Sequence, residues 1–271
     1  MRKTSLLLLL LLLSFITLAA SGLTSCGNDE NTIVVGATAA PHAEILEVCK
    51  PILAEQGYTL KIKTFADYII PNTSLEDGEL DANYFQHITY LNDFNVEHKT
   101  HLTSVGAVHY EPFGIYAGSK SDLTKVSNGD KIIVPNDATN EARALLLLEE
   151  QGLIDLKDSA GIKATKNDII SNPYNLDIIE MNAEIIAGVK EDAAFAVING
   201  NYAISAGLKV SDAIALESTT GTAAEAYGNV LAVKEGNENL PKIQALYDAL
   251  TSASVKEFIN NTYKGSVVAL F

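Results

Sequence analysis

Ile132-Ile-Val-Pro-Asn-Asp-Ala-Thr-Asn-Glu-Ala-Arg143-Ala-Leu-Leu-Leu-Leu148 reads as a buried strand that turns directly into a helix. The β-branched run Ile132–Val134 suits a strand, and Pro135 has no N–H with which to continue a ladder. Thr139 or Asn140 can cap a helix over Glu141–Gln151, which Gly152 would close. The same alternation recurs outward in both directions. Ile33–Thr38 is a strand before a helix over His42–Gln56, stopped by Gly57. Leu60–Phe65 is a second strand, and Tyr68–Gly78 a short helix leading into a strand or turn at Ala82–His87. Thr103–Tyr116 is strand-rich and broken by Pro112 and Gly114; Ile178–Met181, Ala194–Ile198, Ala213–Glu217 and Asn229–Val233 are further strands. Two helical patterns fill Leu240–Asn261. Strands alternating with helices predict an α/β fold.

Arg143 is the one arginine outside the first few residues; every other cation of the body is lysine. It falls in or next to the first turn of its predicted helix, where the dipole disfavours a cation by about 0.3–1 kcal/mol. A ligand carboxylate would reverse that sign, meeting free backbone N–H groups and a guanidinium together. The alternative is an arginine lying over the surface, or paired with Glu141 or Glu150.

Residues 1–25 form a leader: Arg2 and Lys3, the apolar run Leu6–Leu13, then Leu23-Thr-Ser-Cys26. That ending reads as a lipobox, with cleavage before Cys26 and lipid attached to it. Residues 26–32 are a short polar tether. Losing two cations with the leader moves the net charge from −15 to −17, which argues against nucleic acid or an anionic surface as partner. With Cys26 lipidated, Cys49 is alone and sits at helical spacing with Ile45, Leu46 and Ile52, as a buried thiol would.

No catalytic signature is present: there is no Gly-x-Ser-x-Gly, Walker or Gly-x-Gly-x-x-Gly sequence. His98 and His101 have i, i+3 spacing and with His87 form the best candidate for a zinc site, but nothing in the sequence completes a convergent set. Small-ligand binding fits better. Tyr68, Tyr84, Phe85, His87 and Tyr90 cluster in sequence; they are either core or the walls of a slot suited to a polarizable side chain such as a thioether. Asn199 and Asn229 stand at the ends of apolar strands, where a buried amide needs partners and could offer a zwitterion both donors and an acceptor. Gly78-Glu-Leu-Asp81-Ala82 weakly echoes Gly188-Val-Lys-Glu-Asp192-Ala193, as two lobes of similar topology would.

Four blocks in order carry a resemblance: Phe65-Ala-Asp-Tyr68-Ile-Ile-Pro-Asn, Asp81-Ala-Asn-Tyr-Phe85-Gln-His87, the Val134–Leu148 run, and Ala196-Val-Ile-Asn199-Gly-Asn-Tyr202-Ala. Together they resemble the NlpA/MetQ family, lipoprotein substrate-binding subunits of methionine ABC importers. The resemblance implies a periplasmic-binding-protein fold, type II-like, with two α/β lobes around a ligand cleft. On this chain lobe 1 would take residues 33–110 and 229–271 and lobe 2 residues 111–228, with hinges near His109–Phe113 and Ala226–Asn229. It implies methionine, L or D, or a methionine-containing dipeptide as ligand, and no cofactor, metal or catalysis. It also implies lipid anchoring at the extracytoplasmic face and delivery to a membrane permease driven by a separate ATPase. Carried over by motif, Arg143 looks like the carboxylate clamp, and Asn140 in the same block like a further ligand-binding residue. Asn199 and Asn229 look like the amide pair holding the amino-acid head, and Tyr68, Phe85, His87 and Tyr90 like the side-chain pocket.

Overall fold

The computed structural model describes residues 30–217 and 225–271. The leader, Cys26 and the start of the tether lie outside the described residues. In chain order come β1 (Thr32–Thr38), α1 (Glu44–Glu55), β2 (Thr59–Phe65), α2 (Ile70–Glu76), β3 (Ala82–His87), α3 (Ile88–His98) and β4 (Leu102–Tyr110). Next are β5 (Gly114–Ala117), β6 (Lys131–Pro135), α4 (Ala138–Glu150), β7 (Asp155–Leu156), β8 (Ile169–Ser171) and β9 (Asp177–Met181). Then follow α5 (Ala183–Val189), β10 (Phe195–Ile198), α6 (Gly200–Ser205) and β11 (Ala213–Leu216). The chain ends with β12 (Asn229–Lys234), α7 (Pro241–Leu250), α8 (Ala253–Tyr263) and β13 (Val268–Ala269).

Most of these strands build two mixed sheets, one per lobe, while β7 and β8 pair as a separate two-stranded ribbon. The first has the order β13-β4-β12-β3-β1-β2 and the second β11-β5-β10-β6-β9. β1 and β3 run parallel, as do β10, β6 and β9, while β12 and β5 are antiparallel to their neighbours. The chain passes from the first sheet to the second through Glu111–Phe113 and returns between Leu216 and Asn229. β1 is apolar and covered on both faces, the pattern of a central parallel strand. One face meets α1, α7 and α8, where Ile45, Leu46, Leu53, Leu246 and Ile259 pack on Ile33, Val35 and Leu231. Cys49 belongs to this core, and burial pushes its thiol up to about 12, so it is an inert apolar filler. In the second lobe Leu145, Leu147 and Leu148 of α4 pack against Phe113, Ile132, Val134 and Phe195.

Two local expectations change. The helix after Pro135 begins earlier than Thr139 or Asn140 would have it: Asp137 is the cap, and its side chain accepts from the Asn140 N–H (3.0 Å). Arg143 therefore lies in the second turn, where the dipole penalty is small. Asp137 also takes a helix N–H that a ligand carboxylate was expected to meet. The helix expected from His42 begins at Glu44, after a separate turn over Ala39–Ala43.

Candidate ligand-binding site

Parallel strands deliver their carboxyl ends to one crevice, the usual place for a ligand in open α/β sheets. β3 ends at His87, β10 leads into Asn199, and β6 runs through Pro135 to the capped start of α4. Both segments of the sequence echo enter strands that finish at this crevice. A narrow cavity lies there, lined by Tyr68, Phe85, Gln86, His87, Tyr90, Glu111, Asn140, Arg143, Asn199, Gly200, Asn201 and Asn229. The eight residues carried over by motif are all among them; Tyr84, the remaining aromatic of the cluster, is instead fully buried, with its hydroxyl on His109 Nδ1.

One end of the cavity is aromatic. The Tyr68 ring stacks on Tyr202 at 5.0 Å and lies 5.8 Å from Phe85 and 5.7 Å from Tyr90. The phenol tips are anchored across the cleft: Tyr68 donates to Asn201 Oδ1 (2.7 Å) and Tyr202 to the Ala66 carbonyl (2.8 Å). The lobes are thus closed on each other. Aromatic faces meeting at several angles make a slot for an unbranched, polarizable chain.

The other end is polar, and its groups are fixed from behind. His87 Nδ1 accepts from the Tyr90 N–H (3.0 Å), so its proton sits on Nε2 and is donated to Asn140 Oδ1 (3.2 Å). Burial, and then the Arg143 charge, hold His87 down at about 3, so the ring is neutral. Asn140 Oδ1 also accepts from Asn199 Nδ2 (2.8 Å), and Asn140 Nδ2 donates to Asp137 (2.9 Å). Asn199 is left with Oδ1 buried and without a partner. On the opposite wall His42 Nε2 donates to Asn229 Oδ1 (3.1 Å), while Thr38 bonds its Nδ1 (2.7 Å). That leaves the NH2 of Asn229 as the group it can offer a ligand.

Arg143 is placed differently from the expectation. It pairs with neither Glu141 nor Glu150. Its Nε donates to Glu217 Oε2 (2.9 Å), its Nη2 to Glu217 Oε1 and to the Glu111 carbonyl (2.9 Å). The Nε edge of the fork is thus occupied by an internal carboxylate, and a ligand must approach the Nη1 side. Burial works against the charge of Arg143, but the Glu217 carboxylate beside it wins and raises its pKa above the ordinary value. Phe113 and Tyr227 lie 4.7 and 4.3 Å from the guanidinium carbon. Glu217 further accepts from the Tyr110 hydroxyl and the Phe113 N–H (2.9 Å), tying the outgoing crossover to the start of the return one.

The expected zinc candidates do not converge. His98 stacks on Phe94 (4.1 Å), His101 bonds Glu76 (3.2 Å), and His87 stays in the cavity. Among the described residues the one group with metal-like convergence is His42, His109 and Glu111, all buried. The sequence reading missed Gln86, Glu111, Gly200, Asn201 and Glu217. One signal was available: a buried arginine requires a buried acid. Gly200 is required by space, since a Cβ there would meet the Glu111 Cβ at 2.6 Å.

The profile of the NlpA lipoprotein family matches residues 33–271. The chain belongs to the NlpA lipoprotein family. It is 41% identical to the methionine-binding lipoprotein MetQ of Bacillus subtilis (strain 168), over 99% of this chain and 98% of the relative. A crystal structure of a lipoprotein from Ruminococcus gnavus ATCC 29149 superposes with a TM-score of 0.88 at 55% identity, over 89% of this chain and 100% of that one. A nutrient-binding protein from Burkholderia cenocepacia, solved bound to methionine, has a TM-score of 0.84 at 41% identity, over 88% and 100% of the two chains. The family's two-lobed α/β fold is the fold of this chain.

Proposed function

We propose that this protein captures methionine between its lobes and hands it to the membrane permease of an ABC importer, with no catalysis of its own. The observation that carries the reading is the buried Asn199 Oδ1, which has no partner and lies in a closed cavity with aromatic rings at one end and Arg143 at the other. The thioether lies among Tyr68, Phe85 and Tyr90. The carboxylate meets Arg143 from the Nη1 side together with the NH2 of Asn229, and Asn199 Oδ1 accepts from the amino group. The named relatives in B. subtilis and B. cenocepacia support the choice of methionine. The lobes comprise residues 33–110 with 229–271, and 111–228, and they open about hinges near His109–Phe113 and Ala226–Asn229. Cys26 carries the lipid that holds the protein at the extracytoplasmic face of the membrane; among the described residues no helix is long and apolar enough to span one.

A thermal-shift panel of the twenty amino acids and Gly-Met dipeptide tests the ligand. Methionine is expected to raise the melting temperature most, because a ligand bound only by the folded state stabilises it by RT ln(1 + [L]/Kd). A panel in which methionine has no effect and another amino acid does would overturn the assignment.

A further inference from the structure

Each lobe lays one tyrosine on the other, and each tyrosine spends its hydroxyl across the cleft. Tyr68 belongs to lobe 1, yet its ring packs on the apolar cluster of lobe 2 that holds Tyr116, Ile133, Ile198 and Tyr202. Its hydroxyl donates to Asn201 Oδ1 (2.7 Å). Tyr202 answers from lobe 2: its ring stacks on Tyr68 at 5.0 Å with 28° between the planes, and its hydroxyl donates to the Ala66 carbonyl (2.8 Å). Each half is held in place by its own lobe. On lobe 1, Asp67 Oδ1 accepts from the Ile69 and Ile70 N–H groups (2.7 and 2.8 Å), and the Tyr90 hydroxyl donates to the Tyr68 carbonyl (3.2 Å). Behind this turn, buried amides fix α2 on β3. Asn72 and Gln86 exchange side-chain hydrogen bonds (2.8 and 2.7 Å), and Asn83 Nδ2 donates to Asn72 Oδ1 (2.8 Å). On lobe 2, Tyr202 stands in α6, and two residues further on Ile204 packs against the core of lobe 1. Tyr68 lines the ligand cavity, whereas Tyr202 does not.

We infer that Tyr202 is the latch of the closed form, a residue that sets how long a ligand is held without touching it. The inference rests on the capture reading of the previous section and adds the group that governs release. The argument turns on where the bonding partners go when the lobes part. Ala66 is exposed, and an open cleft gives both its carbonyl and the Tyr202 hydroxyl to water. The bond and the stack therefore contribute to closure and not to the folding of either lobe. A ligand enters the open cleft before the latch forms and leaves only after it breaks. The latch thus slows departure and leaves arrival unchanged.

The test is surface plasmon resonance of L-methionine on immobilised leaderless protein, with melting of the ligand-free protein measured beside it. Tyr202→Phe keeps the ring and loses only the hydroxyl. It is expected to raise the dissociation rate about two- to tenfold, the worth of one net hydrogen bond. The association rate and the ligand-free melting temperature are expected to match wild type. Tyr202→Leu removes the stack as well and is expected to release methionine faster still. The inference is overturned if Tyr202→Phe releases methionine at the wild-type rate, or if the loss falls on association instead. It is equally overturned if the ligand-free melting temperature of Tyr202→Phe falls along with its affinity, or if that variant does not fold. Either result would make the hydroxyl part of the fold of lobe 2. If wild type ignores methionine but binds another amino acid, only the ligand assignment fails; the same rates measured with that amino acid then decide the role of Tyr202.

Discussion

Arg143 combines a structural and a binding task, and a single substitution would confuse them. Arg143→Ala strands Glu217 in the interior, which should cost about 3–5 kcal/mol of stability in denaturant titrations. Pairing Arg143→Ala with Glu217→Gln removes the stranded charge while keeping an acceptor for the Phe113 N–H. The double variant should recover most of the stability and still fail to bind methionine; recovered binding would show that Arg143 serves only the fold. Asn229→Ala should weaken binding by about 1–3 kcal/mol, since its NH2 is the ligand's, and should also lower the melting temperature, because the buried His42 Nε2–H loses its acceptor. A variant that fails to fold would make Asn229 a structural amide instead. The residues legible in the sequence were those out of keeping with their surroundings: a lone arginine, and asparagines at the ends of apolar strands. Glu217 and Glu111 were not legible. They lie 74 and 32 positions from Arg143, and among 34 acids nothing local separates a buried carboxylate from a solvated one.

Helix α4 holds the polar end of the cavity through its cap. Asp137 bonds the Asn140 N–H and side-chain NH2, and Asn140 in turn orients His87 and Asn199 across the cleft. Asp137→Ala should therefore do two things at once. It should destabilise the protein by about 0.5–2 kcal/mol, the usual worth of an N-cap. It should also weaken methionine binding, although Asp137 does not line the cavity. Asp137→Asn, which still caps, should retain most of the stability, and unaltered affinity in Asp137→Ala would break the link from cap to site. The existence of this helix was readable from Pro135 and the leucine run. Its first residue was not, because Asp137, Thr139 and Asn140 are all competent caps and packing chooses among them. Other boundaries follow the local signals more closely: Gly57 and Gly152 both take positive φ just past their helices, where an L side chain would be strained.

The whole molecule buries three neutral histidines, His42, His87 and His109, and this shapes its response to acid. Burial, first among the causes for each, lowers them to about 4, 3 and 3, against an ordinary value near 6.5 in the unfolded chain. Between those limits the unfolded state binds protons that the folded state refuses, so each histidine removes stability as pH falls, by up to about 1.4 kcal/mol per pH unit. Glu111 and Asp137, raised by burial, act in the opposite sense, as does Glu141, which burial raises to about 7. The clean test is a difference. His87→Gln keeps a donor for Asn140 and should lose less stability than wild type between pH 6.5 and 4; parallel stability profiles would mean His87 is protonated in the folded protein. The two-lobe plan was legible through the four sequence blocks, whereas closure was not, because it depends on contacts such as Tyr68 to Asn201 that span 133 positions. The measurement that bears most directly on the account is calorimetric titration of L-methionine into leaderless protein, unfolded and refolded to strip any carried ligand. The account predicts saturable one-to-one binding that Asn229→Ala weakens; correctly refolded protein that takes up no methionine would contradict it.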